Sequence, residues 1–179
     1  MRGILALAFA AMSIISSCAP SPEIQSRKAA ASGDLSQVKE LLAKKVDVNS
    51  KDRDGATAVS MAAATGHVQV VKELASARAD LNARRTDGES PLLLTVKKGH
   101  RDLAKYLIAE GADVRARDAR GADPLRVAVD AGDREVVKAI LAKAGDPNSL
   151  GPDGHPTITA AAEKGDTEVV AELLGAKAE

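Results

Sequence analysis

Aromatic residues are almost absent from this sequence, since Phe9 and Tyr106 are the only two in 179 residues. A packed interior must therefore be filled by alanine, leucine, valine and isoleucine, of which alanine and leucine favour helices. Cys18 is the only cysteine, which excludes an internal disulfide and a metal site made of several cysteines. Because 25 basic residues are balanced by 25 acidic ones, we expect no nucleic-acid partner.

Residues 1–17 have the pattern of a signal peptide. Arg2 gives a positive start, and residues 4–15 form an uncharged apolar run that is too short to span a bilayer as a mature helix. The run Ile15-Ser16-Ser17-Cys18 then resembles a bacterial lipobox. The resemblance implies cleavage before Cys18 and lipid on that cysteine. An ordinary secretory signal with an incidental cysteine is the alternative.

The residues after Cys18 bear on where the chain is held. Ala19 follows, and not aspartate, which by the sorting rules of bacterial lipoproteins implies the outer membrane, facing the periplasm. Pro20 and Pro22 predict a short extended tether over residues 18–23. We therefore expect an exported, lipid-anchored protein whose folded domain, residues 24–179, lies close to the membrane.

Three sets of residues recur every 33 positions without an insertion. They are the glycines Gly33, Gly66, Gly99, Gly132 and Gly165, the glycines Gly55, Gly88, Gly121 and Gly154, and the aspartates Asp47, Asp80, Asp113 and Asp146. Within each period, two apolar patterns have i, i+3, i+4 spacing, which marks one face of a helix. The sequence therefore predicts a stack of short helix pairs joined by turns.

Residues that cap helices stand where these helices should begin. Thr57, Ser90 and Asp123 are good N-caps for the first helix of three pairs, and Pro91 and Pro124 suit the first helical position. Before the second helices, the capping position holds Asp34, His67, His100, Asp133 and Asp166. We predict that the aspartates cap the helix that follows. For the two histidines, helix capping or a place in a surface turn is expected.

The segments D-G-E-S-P-L-L-L-T-V-K-K-G-H and A-E-G-A-D-V-R-A-R-D resemble ankyrin repeats. The resemblance implies an all-α solenoid of about five repeats with hairpin-like turns, near residues 24–53, 54–86, 87–119, 120–152 and 153–179. No repeat keeps the histidine of the family's Thr-Pro-Leu-His motif, so its hydrogen bonds between repeats are not implied here. Of the family's Gly-Ala-Asp glycines only Gly111 remains, and we expect positive φ at its replacements, Lys45, Arg78, Ala144 and Lys177.

Two further expectations concern the first helix and chemistry. The polar run Ser26-Arg27-Lys28 suits a first helix that caps the stack and faces water. No phosphate-binding loop or nucleophile motif occurs, and His67 and His100 stand one repeat apart, roughly 10 Å and too far for a shared metal. We expect no enzyme activity, no metal and no cofactor.

The resemblance also implies a concave face, lined by the turns and the ends of the first helices, that binds proteins. We predict that it includes Lys51, Arg53, Arg84, Arg85, Lys97, Lys98, Arg117 and Arg120. These cations favour an acidic patch on a protein partner, while a solvated face or contact with anionic lipid head groups are alternatives. The predicted function is a monomeric, envelope-tethered binding module that holds, protects or inhibits its partner. A scaffold without a dedicated partner and an envelope enzyme are the other hypotheses.

Overall fold

The computed structural model describes residues 20–178, which form ten α-helices and no β-strand. The helices are α1 Pro22–Ser32, α2 Leu35–Ala43, α3 Ala58–Thr65, α4 Val68–Ser76, α5 Pro91–Lys97, α6 Arg101–Ala109, α7 Pro124–Ala131, α8 Arg134–Ala142, α9 Thr157–Glu163 and α10 Thr167–Gly175. Cys18 and the predicted signal peptide lie outside these residues. No helix within them is long and apolar enough to cross a bilayer.

The helices pack in two layers. Each odd-numbered helix contacts the next odd-numbered one, from α1 through α9. In the other layer, α2 contacts α4, α6 contacts α8, and α8 contacts α10. The core lies between the layers and is aliphatic, as in Leu74, Leu92, Leu107, Leu125 and Ile140, all fully buried. Since short helices gain most of their stability from packing, each pair depends on its neighbours. The predicted all-α repeat solenoid is confirmed.

The predicted helix starts are confirmed in detail. The side chains of Thr57, Ser90 and Asp123 accept hydrogen bonds from the third backbone N–H of α3, α5 and α7. Pro91 and Pro124 are the first residues of α5 and α7, where a missing N–H costs no hydrogen bond. Local sequence therefore decides where these three helices begin.

The residues that replace the family's turn glycines have positive φ, as predicted. Lys45, Arg78, Ala144 and Lys177 have φ of 57°, 61°, 60° and 70°, and Gly111 has φ of 88°. A left-handed backbone costs a residue with a Cβ roughly 1–2 kcal/mol. Four turns of the solenoid therefore carry local strain that glycine would relieve.

Of the two roles expected for His67 and His100, helix capping is wrong. Neither side chain caps the helix that follows it. Instead, Nε2 of His67 lies 3.1 Å from the carbonyl oxygen of Ala31, and Nε2 of His100 lies 3.3 Å from that of Ala64. The rings occupy space that the glycines of the preceding repeat leave open, because a Cβ on Gly33 would approach the ring of His67 to 2.6 Å. The histidines thus join neighbouring repeats.

The start of α1 departs from two further predictions. The helix begins at Pro22 with Ser21 as its N-cap, so the predicted extended tether is wrong for its last residues, because proline suits a first helical turn as well as an extended chain. Ser26 is buried on the helix face that packs against the stack, whereas Lys28 is exposed. The predicted polar cap therefore holds for only part of this helix.

Candidate protein-binding face

Four hairpin-like tips project between successive helix pairs, at residues 47–56, 80–89, 113–122 and 146–155. Each tip is closed by a backbone hydrogen bond of 2.9–3.0 Å, Asp52 N to Ala56 O, Arg85 N to Glu89 O, Asp118 N to Ala122 O and Gly151 N to His155 O. We call the surface formed by the tips and the odd-numbered helices the groove face. It is the surface on which the sequence predicts partner binding.

Neighbouring tips are joined to one another. The backbone N–H of Thr86 donates to Asp54 O at 2.9 Å, and that of Ala119 donates to Asp87 O at 2.8 Å. The side-chain oxygen of Asn49 accepts from Asp80 N at 2.8 Å, one repeat further on. These bonds hold the first three tips in a fixed row, so their side chains are presented as one surface.

Five of the eight predicted cations are exposed and form no ion pair within residues 20–178: Lys51, Arg53, Arg84, Lys98 and Arg120. Arg84 donates from Nε to the carbonyl oxygen of Gly88 at 3.1 Å, which fixes its side chain along its own tip. The charges of all five are available to a partner.

The other three predicted cations are already paired with carboxylates of the same chain. Nζ of Lys97 lies 2.7 Å from both Glu89 and Asp118. Arg85 lies 3.7 Å from Asp87 and 3.6 Å from Glu89, and Arg117 lies 3.7 Å from Asp123. The middle of the groove face is therefore less positive than its basic residues alone suggest.

The pKa values in this middle region agree with stable ion pairs. Burial raises the pKa of Asp118, but hydrogen bonds from the amine of Lys97 and from the backbone of Ala122 and Arg120 outweigh it and hold the pKa below its usual range. Burial lowers the pKa of Lys97, but its bonds to Asp118 and Glu89 outweigh that effect and raise it. Both partners therefore stay charged at neutral pH.

At the N-terminal end, α1, the first tip and α3 line an open groove of about 840 Å³, which we call the N-terminal groove. Two of its linings, Lys51 and Arg53, are predicted partner-binding residues. Four of its other lining residues, Ile24, Arg27, Lys28 and Met61, were not predicted as binding residues. The 33-residue period could have indicated these residues, because Lys28 and Met61 are 33 positions apart and thus occupy equivalent places in successive repeats.

The histidine and acidic side chains were also compared with the requirements of a metal site. Within residues 20–178, no group of three or more histidine, cysteine, aspartate or glutamate side chains is arranged to hold a metal ion. His155 lies 3.5 Å from Asp153 on the last tip, away from the other two histidines.

Sequence comparisons bear on the family of the chain. The family model of ankyrin repeats matches residues 27–118 in three copies, which is just over half of the 179 residues. No curated protein matches the chain significantly. Ankyrin repeats are modules that bind proteins and are typically not enzymes. On the matched repeats and the stacked helix pairs, the chain belongs to the ankyrin-repeat family.

Proposed function

We propose that this chain is a binding module that is tethered in the bacterial envelope and holds, protects or inhibits an exported protein. The observation that carries the proposal is the row of exposed cationic side chains on linked tips, including Arg53, Arg84 and Arg120. Arginine is common among the residues that dominate binding energy at interfaces, and it pairs well with carboxylates. The module has few aromatic anchors, so charge must contribute much of its specificity.

The tether is the second part of the proposal. Lipid on Cys18 would anchor the chain, with acyl chains contributing about 0.8 kcal/mol per buried CH₂ group. Because α1 begins at Pro22, only four residue steps separate it from Cys18, a reach of roughly 14 Å. The module would act at the membrane surface, on the periplasmic side of the outer membrane, as a monomer.

The tether is tested by growing cells with labelled palmitate. The wild-type chain should incorporate the label and sediment with outer membranes, whereas a Cys18→Ser variant should do neither. Label-free protein in the soluble periplasmic fraction would show that the signal is an ordinary secretory one. Size-exclusion chromatography with light scattering of the purified chain tests the monomer.

The partner is tested by chemical cross-linking in intact cells, followed by mass spectrometry. The double variant Arg53→Glu/Arg120→Glu should lose a cross-linked protein that the wild type captures. A matched control, Lys45→Glu/Lys143→Glu, reverses two exposed charges on the ends of even-numbered helices and should keep it. Equal recovery with both variants would mean that the groove face is not the binding surface.

A further inference from the structure

Four cationic side chains surround the N-terminal groove. Arg27 is held in place by hydrogen bonds from Nη1 to the side-chain oxygen of Ser50 at 3.1 Å and to its carbonyl oxygen at 3.5 Å. Lys28, Lys51 and Arg53 form no ion pair with any described residue. In contrast to Lys97 in the middle of the groove face, none of these four cations forms an ion pair with a carboxylate of residues 20–178.

Two carboxylates also line this groove. One oxygen of Asp52 accepts from the backbone N–H groups of Asp54 and Ala56 at 2.9 and 2.8 Å, so this group mainly closes the tip. The carboxylate of Asp54 has no such role. Four cations against two carboxylates leave an excess of two positive charges, which favours an anionic occupant.

The wall of the groove is apolar where α1 meets α3. Ile24 is 39% exposed, which makes it one of three large aliphatic side chains that are exposed within residues 20–178. Ala31 and Met61 continue this apolar surface. An occupant that covers Ile24 would remove apolar area from water, which favours binding.

We propose that the N-terminal groove binds an acidic peptide segment that carries a large aliphatic side chain. The carboxylates of the segment pair with Lys28, Lys51 and Arg53, while its aliphatic side chain packs against Ile24 and Met61. A volume of about 840 Å³ lies in the range of concave sites that accept compact ligands, so several side chains of a protruding segment fit. A flat anionic bilayer would meet the cations of the tip but would not bring an apolar group to the groove wall.

This inference rests on the proposed function and assigns it a place and a partner chemistry. The experiment is a selection of random peptides displayed on phage against the purified chain. The enriched peptides should be rich in aspartate and glutamate and should contain leucine, isoleucine or methionine. Fluorescence anisotropy with the labelled peptide that is enriched most then gives its dissociation constant for each variant.

The variants separate the two parts of the groove. Lys51→Glu/Arg53→Glu should weaken peptide binding by about tenfold or more, since it removes two exposed ion pairs and adds charge repulsion. Ile24→Ser should weaken it about fivefold through the lost apolar contact. The control Lys45→Glu/Lys143→Glu should bind it with unchanged affinity. Circular dichroism must show the same helix content for all of them.

Several results would overturn the inference. Enrichment of basic or uncharged peptides would contradict it. Acidic peptides that bind the groove variants with the same affinity as the wild type would also contradict it. If no peptide is enriched and the chain instead binds phosphatidylglycerol vesicles through Lys51 and Arg53, the surface is a membrane contact. If a cellular partner depends on Arg84 and Arg120 but not on Lys51 or Ile24, the proposed function survives and this inference fails.

Discussion

Replacing Arg126 by methionine should destabilise the last repeat in particular. The side chain of Arg126 is 8% exposed, and its guanidinium lies between two repeats. Nε donates to both oxygens of Asp130 at 3.1 Å, Nη2 donates to Asp153 at 2.9 Å, and Nη1 donates to the carbonyl oxygen of His155 at 3.1 Å. These bonds fix the fourth tip against α7, and methionine keeps the aliphatic stem while removing every donor.

The magnitude follows from which partners remain buried. A hydrogen bond to a charged group contributes about 1.5–3 kcal/mol, and here several are lost at once. However, the side chains of Asp130 and Asp153 are each 46% exposed, so water replaces most of what they lose. Methionine also avoids the cost of burying a guanidinium. We therefore expect a loss of about 2 kcal/mol in the free energy of unfolding and not the full value of a buried ion pair.

Urea unfolding followed by circular dichroism gives the loss, and hydrogen exchange with mass spectrometry gives its place. Exchange should quicken over residues 149–157, whose amides Gly151 and Thr157 are bonded within the tip, and should be unchanged in α1. The control Arg134→Met removes an arginine that is 47% exposed and pairs with Asp166 and Glu168, and it should have a smaller effect because water reaches its guanidinium. Unchanged exchange at Gly151 and Thr157 in the Arg126 variant would refute the reasoning.

Three more substitutions address other joints. Gly33→Ala should lower the free energy of unfolding by about 2 kcal/mol, because it adds left-handed strain at φ of 76° and displaces the ring of His67 from its hydrogen bond. Ala144→Gly should raise it by about 0.5–1 kcal/mol, since glycine relieves the strain at φ of 60° but costs more backbone entropy. Hydrogen bonds from Arg126 lower the pKa of Asp153 from 3.8 to about 2, so its stabilisation is present above pH 3.8 and is lost as pH falls toward 2. Asp153→Asn should therefore flatten the pH dependence of stability in that window.

Each of these has a control in the same chain. Gly99→Ala adds the same strain at φ of 73° but meets no atom within 4 Å, so urea unfolding should show a smaller loss than for Gly33→Ala. Equal losses would mean that displacing the ring of His67 does not lower the free energy of unfolding. Ala142→Gly, in the last turn of α8, should destabilise the chain, opposite to Ala144→Gly. For Asp153, an unchanged acid midpoint in the asparagine variant would contradict the assigned pKa.

The fold could be predicted from the sequence because the same capping residues, turn glycines and apolar spacing recur in successive repeats. Caps such as Thr57 and Ser90 act on backbone groups three residues away, so their effect is visible in a single segment. The left-handed turn at Arg78 was predicted from its place in a repeated motif. Local chemistry repeated at a fixed period is what sequence analysis handles best.

The candidate site was harder to predict because its properties depend on contacts between repeats. Lys97 looks like a free cation in the sequence, but its partner Asp118 is 21 residues away on the next tip. His67 looks like a helix cap, but its ring bonds to Ala31, 36 residues earlier. Which cations stay free is decided by packing along the stack, and the counts of charged residues do not contain that information.

The polar contacts that join one repeat to the next, which we call joints, change in chemical character along the stack. This change affects how the binding groove responds to salt. The first two joints use histidine against a carbonyl oxygen, which only accepts, so Nε2 donates the hydrogen bond. The last two use Arg101 with Asp133 and Arg134 with Asp166, ion pairs of half-exposed arginines that salt screens. At high salt the repeats that form the N-terminal groove therefore keep the bond from His67 to a carbonyl oxygen, while the exposed pair of Lys39 and Glu73 between them weakens. A charged groove built on such joints keeps its shape under conditions that weaken the ion pairs by which it binds, so its affinity reports the electrostatics of the contact and not the unfolding of the site.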